Sequence, residues 1–123
     1  MPDPAPFITF RTEVYQLALD LSARVFAVIE LAELERYFLR DQLDKKSTAI
    51  PIAIARGLAT PDMTERRGLY RRARAAVTDC GAILDVLAER GTVSRTALDA
   101  ARGVVGELAT RLDVLTIQPP SVR

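Results

Sequence analysis

Apolar residues recur at alternating steps of three and four along most of this chain, which is the spacing of one face of an α-helix. The first such series predicts a helix from about Thr12 to Leu31, and its members are Val14, Leu17, Leu21, Val25 and Val28. Other apolar residues lie off that stripe, namely Tyr15, Leu19, Phe26 and Ile29. The apolar surface of this helix is therefore expected to be wider than one contact seam.

The second apolar series contains a proline. It predicts a helix from about Leu34 to Leu58 and consists of Leu39, Leu43, Ile50, Ile54 and Leu58. Pro51 lies inside it, and an interior proline removes one backbone hydrogen bond at a cost of about 3 kcal/mol. We expect a kink near Lys46–Ser47, one turn earlier, but no break, because the stripe continues in register on both sides. Gly57 is interpreted as the helix end.

Two more amphipathic segments follow. The third helix is predicted from about Pro61 to Glu89, with Thr60 as its N-cap and Gly91 as its C-terminal stop. Its apolar stripe is Leu69, Ala73, Ala76, Cys80, Ile83 and Leu87. The fourth helix is predicted from about Arg95 to Thr116, with Ser94 as its N-cap.

These segments predict an all-α domain, because no strand pattern is present. Four helices with short connections are typical of an antiparallel up-down-up-down four-helix bundle, here over residues 12–117. The proline-rich residues 1–11 are expected to form an irregular arm, and residues 118–123 a flexible tail.

Composition excludes several classes of function. The 123 residues contain no histidine and one cysteine, so histidine-dependent catalysis and imidazole or cysteine metal sites are not expected. No segment has the length of a membrane span or the pattern of a signal peptide, so we expect a cytoplasmic protein without membrane contact. No cofactor and no enzymatic activity are expected; an enzyme using carboxylates alone is the remaining alternative. Cys80 lies on an apolar stripe and is interpreted as a buried small residue; the alternative is a redox thiol.

The net charge of +1 hides a strong segregation. Residues 1–44 carry four basic and eight acidic groups, whereas residues 45–74 carry eight basic and two acidic groups. At about 100° per residue, Arg67, Arg71 and Arg74 form one ridge on the third helix that points away from its apolar stripe. Such a ridge suits phosphate groups. The alternatives are a solvated face, or pairing with acidic residues of a neighbouring subunit.

The basic middle of the chain therefore supplies the candidate nucleic-acid contacts. These are Lys45, Lys46, Arg56, Arg66, Arg67, Arg71 and Arg74. Tyr15 and Tyr70 are interpreted as boundary residues whose hydroxyl groups reach water.

A proline inside a helix with the flanking residues found between Leu39 and Gly57 is unusual. This stretch resembles the signature of a bacterial four-helix-bundle family, approximately Leu-x-x-Gln-Leu-x-x-(Ala/Ser)-x-x-Ser-Ile-Pro-x-Asn-Ile-Ala-Glu-Gly. The family comprises proteins encoded in intervening sequences of 23S ribosomal RNA genes and the accessory variability protein (Avd) of diversity-generating retroelements. The matching positions are Leu39, Gln42, Leu43, Ile50, Pro51, Ile54, Ala55 and Gly57. Three polar positions of the signature are replaced here, by Ala49, Ala53 and Arg56.

The resemblance covers about Phe10 to Thr116 and implies a homo-oligomeric ring, typically a pentamer. Retroelement members of the family bind a reverse transcriptase and nucleic acid through basic surfaces of that ring. We therefore expect a non-enzymatic, Avd-like adaptor that binds RNA or DNA and a protein partner, for which a reverse transcriptase is one candidate. The alternative is a protein–protein scaffold without nucleic-acid binding. The motif residues Gln42, Leu43, Ile50, Pro51, Ile54 and Gly57 are expected to be structural.

Overall fold

The computed structural model describes the backbone of residues 5–32 and 37–117, and side chains from residue 9 onward. This part of the chain forms α-helices and no strand, which confirms the all-α prediction. The helices are α1 (Ala5–Leu31), α2 (Tyr37–Ala59), α3 (Met63–Arg90) and α4 (Arg95–Thr116). The observed bounds of α4 coincide with the predicted ones.

Helix α1 begins at Ala5, seven residues before the predicted start at Thr12. An irregular arm over residues 1–11 is therefore wrong for residues 5–11. Proline is tolerated in the first turn of a helix, where its missing N–H has no intrahelical partner to lose. Pro6 consequently does not exclude a helix, although the prolines of this segment led to the prediction of an irregular arm. Residues 1–4 and the predicted tail, residues 118–123, lie outside the described residues.

Helix α2 is continuous through Pro51, as predicted. Pro51 cannot donate to the carbonyl of Ser47, one turn earlier. The Ser47 and Thr48 hydroxyls both donate to the Asp44 carbonyl, at 3.1 and 2.8 Å. The kink near Lys46–Ser47 stays a prediction, and the predicted start near Leu34 falls outside the described residues. The helix ends at Ala59, so Gly57 is not its end.

Helix α3 has a different N-cap from the one predicted, whereas its predicted C-terminal stop is correct. Asp62, not Thr60, is the N-cap, and its carboxylate accepts from the Glu65 backbone N–H at 2.9 Å. The Thr60 hydroxyl instead donates back to the Arg56 carbonyl of α2 at 2.6 Å. At the other end Gly91 adopts the left-handed φ of 68°, which glycine favours, and confirms the predicted stop.

The four helices contact one another in cyclic order: α1 with α2, α2 with α3, α3 with α4, and α4 with α1. The core between them includes Leu21, Ile50, Ile54, Leu84, Leu108 and Leu112, all fully buried. Ion pairs connect neighbouring helices at their edges. Arg74 and Asp85 of α3 pair with Asp113 and Arg102 of α4, so the partner numbers fall along α4 as they rise along α3.

The buried face of α3 is rotated relative to the predicted stripe. Tyr70, Val77 and Leu84 are buried, whereas the predicted Leu69 and Ile83 are only half-buried. Tyr70 lies on this rotated face, and its ring packs against Gly57 of α2. A Cβ built on Gly57 would lie 2.6 Å from Tyr70 Cε1. Gly57 is therefore required for close approach of α2 and α3.

Candidate nucleic-acid interface

The seven basic residues predicted to contact nucleic acid do not form one surface. Three of them are already engaged in ion pairs within the chain. Lys45 Nζ lies 3.1 Å from Asp41, and Lys46 Nζ lies 3.1 Å from Asp79 of α3. Because their charges are locally neutralised, Lys45 and Lys46 are weak candidates for phosphate contacts.

Arg74 is the third paired residue and the most firmly held. Its Nε lies 2.8 Å from Asp113 Oδ1, and its NH1 donates to the Thr78 hydroxyl at 2.7 Å. The ion pair with Asp113 neutralises the guanidinium charge and so weakens its attraction for a further anion, although some of its N–H donors stay unused. The predicted three-arginine ridge is therefore interrupted at Arg74.

Two further candidates lie at different edges of the molecule. Arg56 is exposed and lines a shallow groove between α1 and α2, together with Tyr15 and Ile52. Arg66 donates to the carbonyls of Thr60 and of the next residue, at 2.9 and 3.2 Å, and so closes the α2–α3 connection.

Arg67 and Arg71 are the members of the ridge without an ion pair among the described residues. Arg67 is half-buried near the start of α3, and Arg71 follows one turn later on the same face and is exposed. Together with Arg66 and Arg11 of α1, they form a group of four arginines that we call the basic end.

Arg11 was not predicted as a site residue, because it was assigned to an irregular arm. The early start of α1 makes Arg11 helical and brings its side chain against α3. Its Nε is buried without a hydrogen-bond partner among the described residues. The signal in the sequence for this extension is the apolar series itself, which continues backwards from Val14 to Phe10 and Phe7 at steps of four and three.

Tyr70 lies at the centre of the basic end, and the prediction that its hydroxyl reaches water is wrong. The residue is 2% exposed, and its hydroxyl is buried beside Arg11 without a well-aligned hydrogen bond among the described residues. Burial raises the pKa of Tyr70 above its ordinary value, and this effect outweighs the charge and hydrogen bonding of Arg11 and the charge of Arg66. The phenol is therefore neutral at physiological pH and supplies no charge to the site.

A cavity of about 380 Å³ opens between these residues. Its lining combines arginines with apolar side chains from the ends of α3 and α4: Arg11, Met63, Arg66, Arg67, Tyr70, Val114, Leu115 and Ile117. No carboxylate lies among these lining residues. The basic end therefore has an uncompensated positive charge next to an apolar surface.

The other residues singled out in the sequence have structural positions. Cys80 is fully buried, and burial raises the pKa of its thiol to about 12, which makes it an unreactive core residue. Tyr15 is half-buried. Within the described residues no group of three or more acidic or cysteine side chains is arranged to hold a metal ion.

The signature residues face the core. Those that match it and are buried are Leu43, Ile50, Pro51, Ile54 and Gly57, while Gln42 is half-buried. Of the positions that depart from it, Ala49 and Arg56 are exposed and Ala53 is buried. The shared residues therefore specify packing, whereas two of the three differences change the surface.

No helix in the described part of the chain has the length and apolar character needed to cross a membrane. This finding covers residues 5–32 and 37–117.

Comparison with known proteins identifies the family. A crystal structure of a protein of unknown function from the S23 ribosomal protein family of Bacteroides thetaiotaomicron superposes with a TM-score of 0.79. The match covers 85% of this chain and 99% of the other at 13% identity, which establishes a shared fold. No curated protein matches the chain. The sequence model of the 23S rRNA-intervening sequence proteins matches residues 11–115. The chain therefore belongs to the 23S rRNA-intervening sequence protein family.

Proposed function

We propose that this protein is a non-enzymatic, homo-oligomeric adaptor, similar to Avd, that binds RNA or DNA through its basic end. In this proposal each subunit is an antiparallel up-down-up-down bundle, and the subunits form a ring, pentameric by resemblance. A second protein, for which a reverse transcriptase is a candidate, binds the assembled ring. The protein acts in the cytoplasm.

The observation that carries the nucleic-acid part is the absence of acidic partners for Arg67 and Arg71 within the described residues. Arginine pairs well with phosphate through its planar, bidentate guanidinium. A few such contacts in one subunit give weak binding. A ring repeats them around one axis, so that a single strand can engage several subunits at once.

The assembly part is supported by the apolar face of α1 and α2. Phe26 of α1 is 62% exposed, and Ile52 of α2 and Leu19 of α1 are 53% and 39% exposed. Leu19 and Ile52 line one shallow groove between the two helices, and Phe26 lines another. Large exposed apolar side chains on one pair of helices support a subunit interface.

A protein–protein scaffold without nucleic acid is the second candidate. It is favoured by the ion pairs of Lys45, Lys46 and Arg74, which remove three of the seven predicted cations from the accessible charge. In that case the remaining arginines meet acidic residues of a neighbouring subunit.

The test is the solution mass by light scattering, at low and high salt, with and without a generic single-stranded RNA. The chain mass is 13.5 kDa. The adaptor proposal predicts a ring of about five subunits whose mass rises with RNA at low salt and returns at high salt. A ring whose mass is unchanged by RNA supports the scaffold. A monomer contradicts both.

A further inference from the structure

The cavity at the basic end is lined by both cationic and apolar side chains, and binding of a nucleic-acid backbone requires only the cationic ones. One side is cationic, since Arg11 and Arg67 line it and neither has an acidic partner among the described residues. The opposite side is apolar and comes from Val114, Leu115 and Ile117 at the end of α4. A phosphodiester backbone needs the first side but makes no use of the second.

The size and enclosure of the cavity suit a small molecule. Its volume of about 380 Å³ lies within the range of about 300–1,000 Å³ typical of small-molecule sites. Met63 and Ile117 are 54% and 65% exposed, so the apolar wall continues to the molecular surface and leaves an entry path. Tyr70 closes the inner end, because it is almost fully buried against Gly57.

The polar groups at the inner end have donors to offer a ligand. The Tyr70 hydroxyl and Arg11 Nε are both buried and make no well-aligned hydrogen bond among the described residues, although the two side chains are neighbours. Buried polar groups in folded proteins are normally hydrogen-bonded, and a guanidinium beside a phenol keeps N–H donors that an anion in the cavity can use. The acidic residues nearest in sequence, Asp62 and Glu65, do not line the cavity.

We propose that this cavity binds a small amphipathic carboxylate, with one carboxylate and an unbranched or aromatic apolar body. The carboxylate accepts hydrogen bonds from the guanidinium groups of Arg11 and Arg67. The apolar body packs against Val114, Leu115 and Ile117. This site does not depend on the proposed adaptor function, because its recognition requires the apolar wall and a single subunit supplies all of it.

The experiment titrates the full chain with octanoate and, separately, with 1-octanol, followed by amide shifts in ¹⁵N-labelled protein. The two probes have the same carbon chain, and only octanoate carries a charge. We expect saturable octanoate binding, with one site per chain and the largest shifts around Tyr70, and at least tenfold weaker binding of 1-octanol. Absence of saturable octanoate binding, or equal affinity for both probes, overturns the proposal.

A matched pair of variants tests the placement of the carboxylate. Arg67→Gln removes a lining cation, whereas Arg72→Gln removes an exposed cation of α3 that does not line the cavity. We expect at least fivefold weaker octanoate binding in Arg67→Gln and a change below twofold in Arg72→Gln. Equal loss in both variants overturns the proposal, because it shows general charge attraction.

The same titration is repeated with an RNA oligonucleotide in place of octanoate. Octanoate binding without RNA binding supports the carboxylate site and contradicts the adaptor proposal. RNA binding without octanoate binding assigns the arginines to nucleic acid alone and overturns the carboxylate site. The two proposals can therefore fail separately.

Discussion

Arg67 and Arg74 lie on the same ridge of α3, two turns apart, but their surroundings differ. At Arg74 the neighbouring helix α4 presents Asp113, and the two side chains form a 2.8 Å ion pair. At Arg67 the same helix presents Val114, Leu115 and Ile117 around a cavity. Equivalent positions on one helix therefore have different electrostatic roles, because the facing helix decides whether each charge is neutralised.

The molecule therefore has two regions that differ in charge: the basic end, and a region of ion pairs that we call the paired middle. The paired middle is the group of cross-helix ion pairs Lys46–Asp79, Arg74–Asp113 and Arg102–Asp85. These pairs are largely exposed, and exposed pairs contribute about 0–1 kcal/mol each, so they matter more for the surface potential than for stability. In the basic end, by contrast, Arg67 and Arg71 have no ion pair among the described residues, and the Tyr70 ring beneath them packs tightly against Gly57.

The largest expected effect concerns that tight contact. Gly57→Ala places a Cβ 2.6 Å from the Tyr70 ring, so we expect the free energy of unfolding to fall by about 1–3 kcal/mol. In Gly103→Ala of α4 the new Cβ has no atom within 4 Å, so the free energy of unfolding should rise by up to about 1 kcal/mol. Urea denaturation of both variants measures the difference. A stabilising Gly57→Ala contradicts the packing described for Tyr70.

A smaller effect is expected at alkaline pH, from the core beneath the paired middle. The unfolded Cys80 thiol titrates near 9.0, whereas burial raises the pKa in the folded protein to about 12. Between these values the unfolded state loses a proton that the folded state retains, so stability is complete below pH 9 and falls above it. The loss at pH 10 is on the order of 1 kcal/mol.

Urea denaturation of the native protein and of Cys80→Ala at pH 7.5 and pH 10 measures this loss. The variant has its own constant cost from the smaller side chain, so only the change between the two pH values is compared. We expect a smaller change in Cys80→Ala. An identical change in both proteins assigns the alkaline sensitivity to other groups.

The third prediction concerns the ion pair between Arg74 and Asp113, whose removal would leave Arg74 free to contact phosphate. Asp113→Asn releases Arg74, which should lower the free energy of unfolding by less than about 1 kcal/mol. Each added phosphate contact steepens the dependence of RNA affinity on salt by about 0.7 in the log–log slope. Asp85→Asn, which removes the cross-helix partner of Arg102 elsewhere on α4 and leaves Asp99 beside it, is the control. A steeper slope in Asp85→Asn alone contradicts the location of the site.

The smallest expected effect is at the buried phenol. Tyr70→Phe removes a hydroxyl that has Arg11 beside it but makes no well-aligned hydrogen bond among the described residues, so the free energy of unfolding should change by less than about 0.5 kcal/mol or rise slightly. Thermal unfolding of the native protein and the variant measures this. A loss above about 1.5 kcal/mol shows that the hydroxyl is satisfied, since it matches the cost of a broken hydrogen bond.

Much of the fold could be predicted from the sequence where periodicity and caps agree. The predicted stripe of α1 is buried at Val14, Leu21, Val25 and Val28 and half-buried at Leu17, and both ends of α4 are correct. The N-terminal extension of α1 was missed because prolines are compatible with a first turn as well as with an irregular arm. The Asp62-x-x-Glu65 pattern could have identified the true cap of α3.

The candidate site was less predictable, because it depends on contacts between helices. Spacing on α3 placed Arg67, Arg71 and Arg74 on one ridge, but it could not show that Asp113 of another helix neutralises Arg74. Nor could it show that the ring of Tyr70 packs against Gly57 of α2. These facts arise only when segments distant in the chain pack together.

The most direct test is the salt dependence of RNA binding by three proteins: the native chain, Arg67→Gln/Arg71→Gln and Arg74→Gln. We expect the double variant to lose about 1.4 from the log–log slope for each contacting subunit and Arg74→Gln to retain the native slope. Equal losses per removed arginine at Arg74 and at Arg67 and Arg71 would contradict the distinction between the paired middle and the basic end.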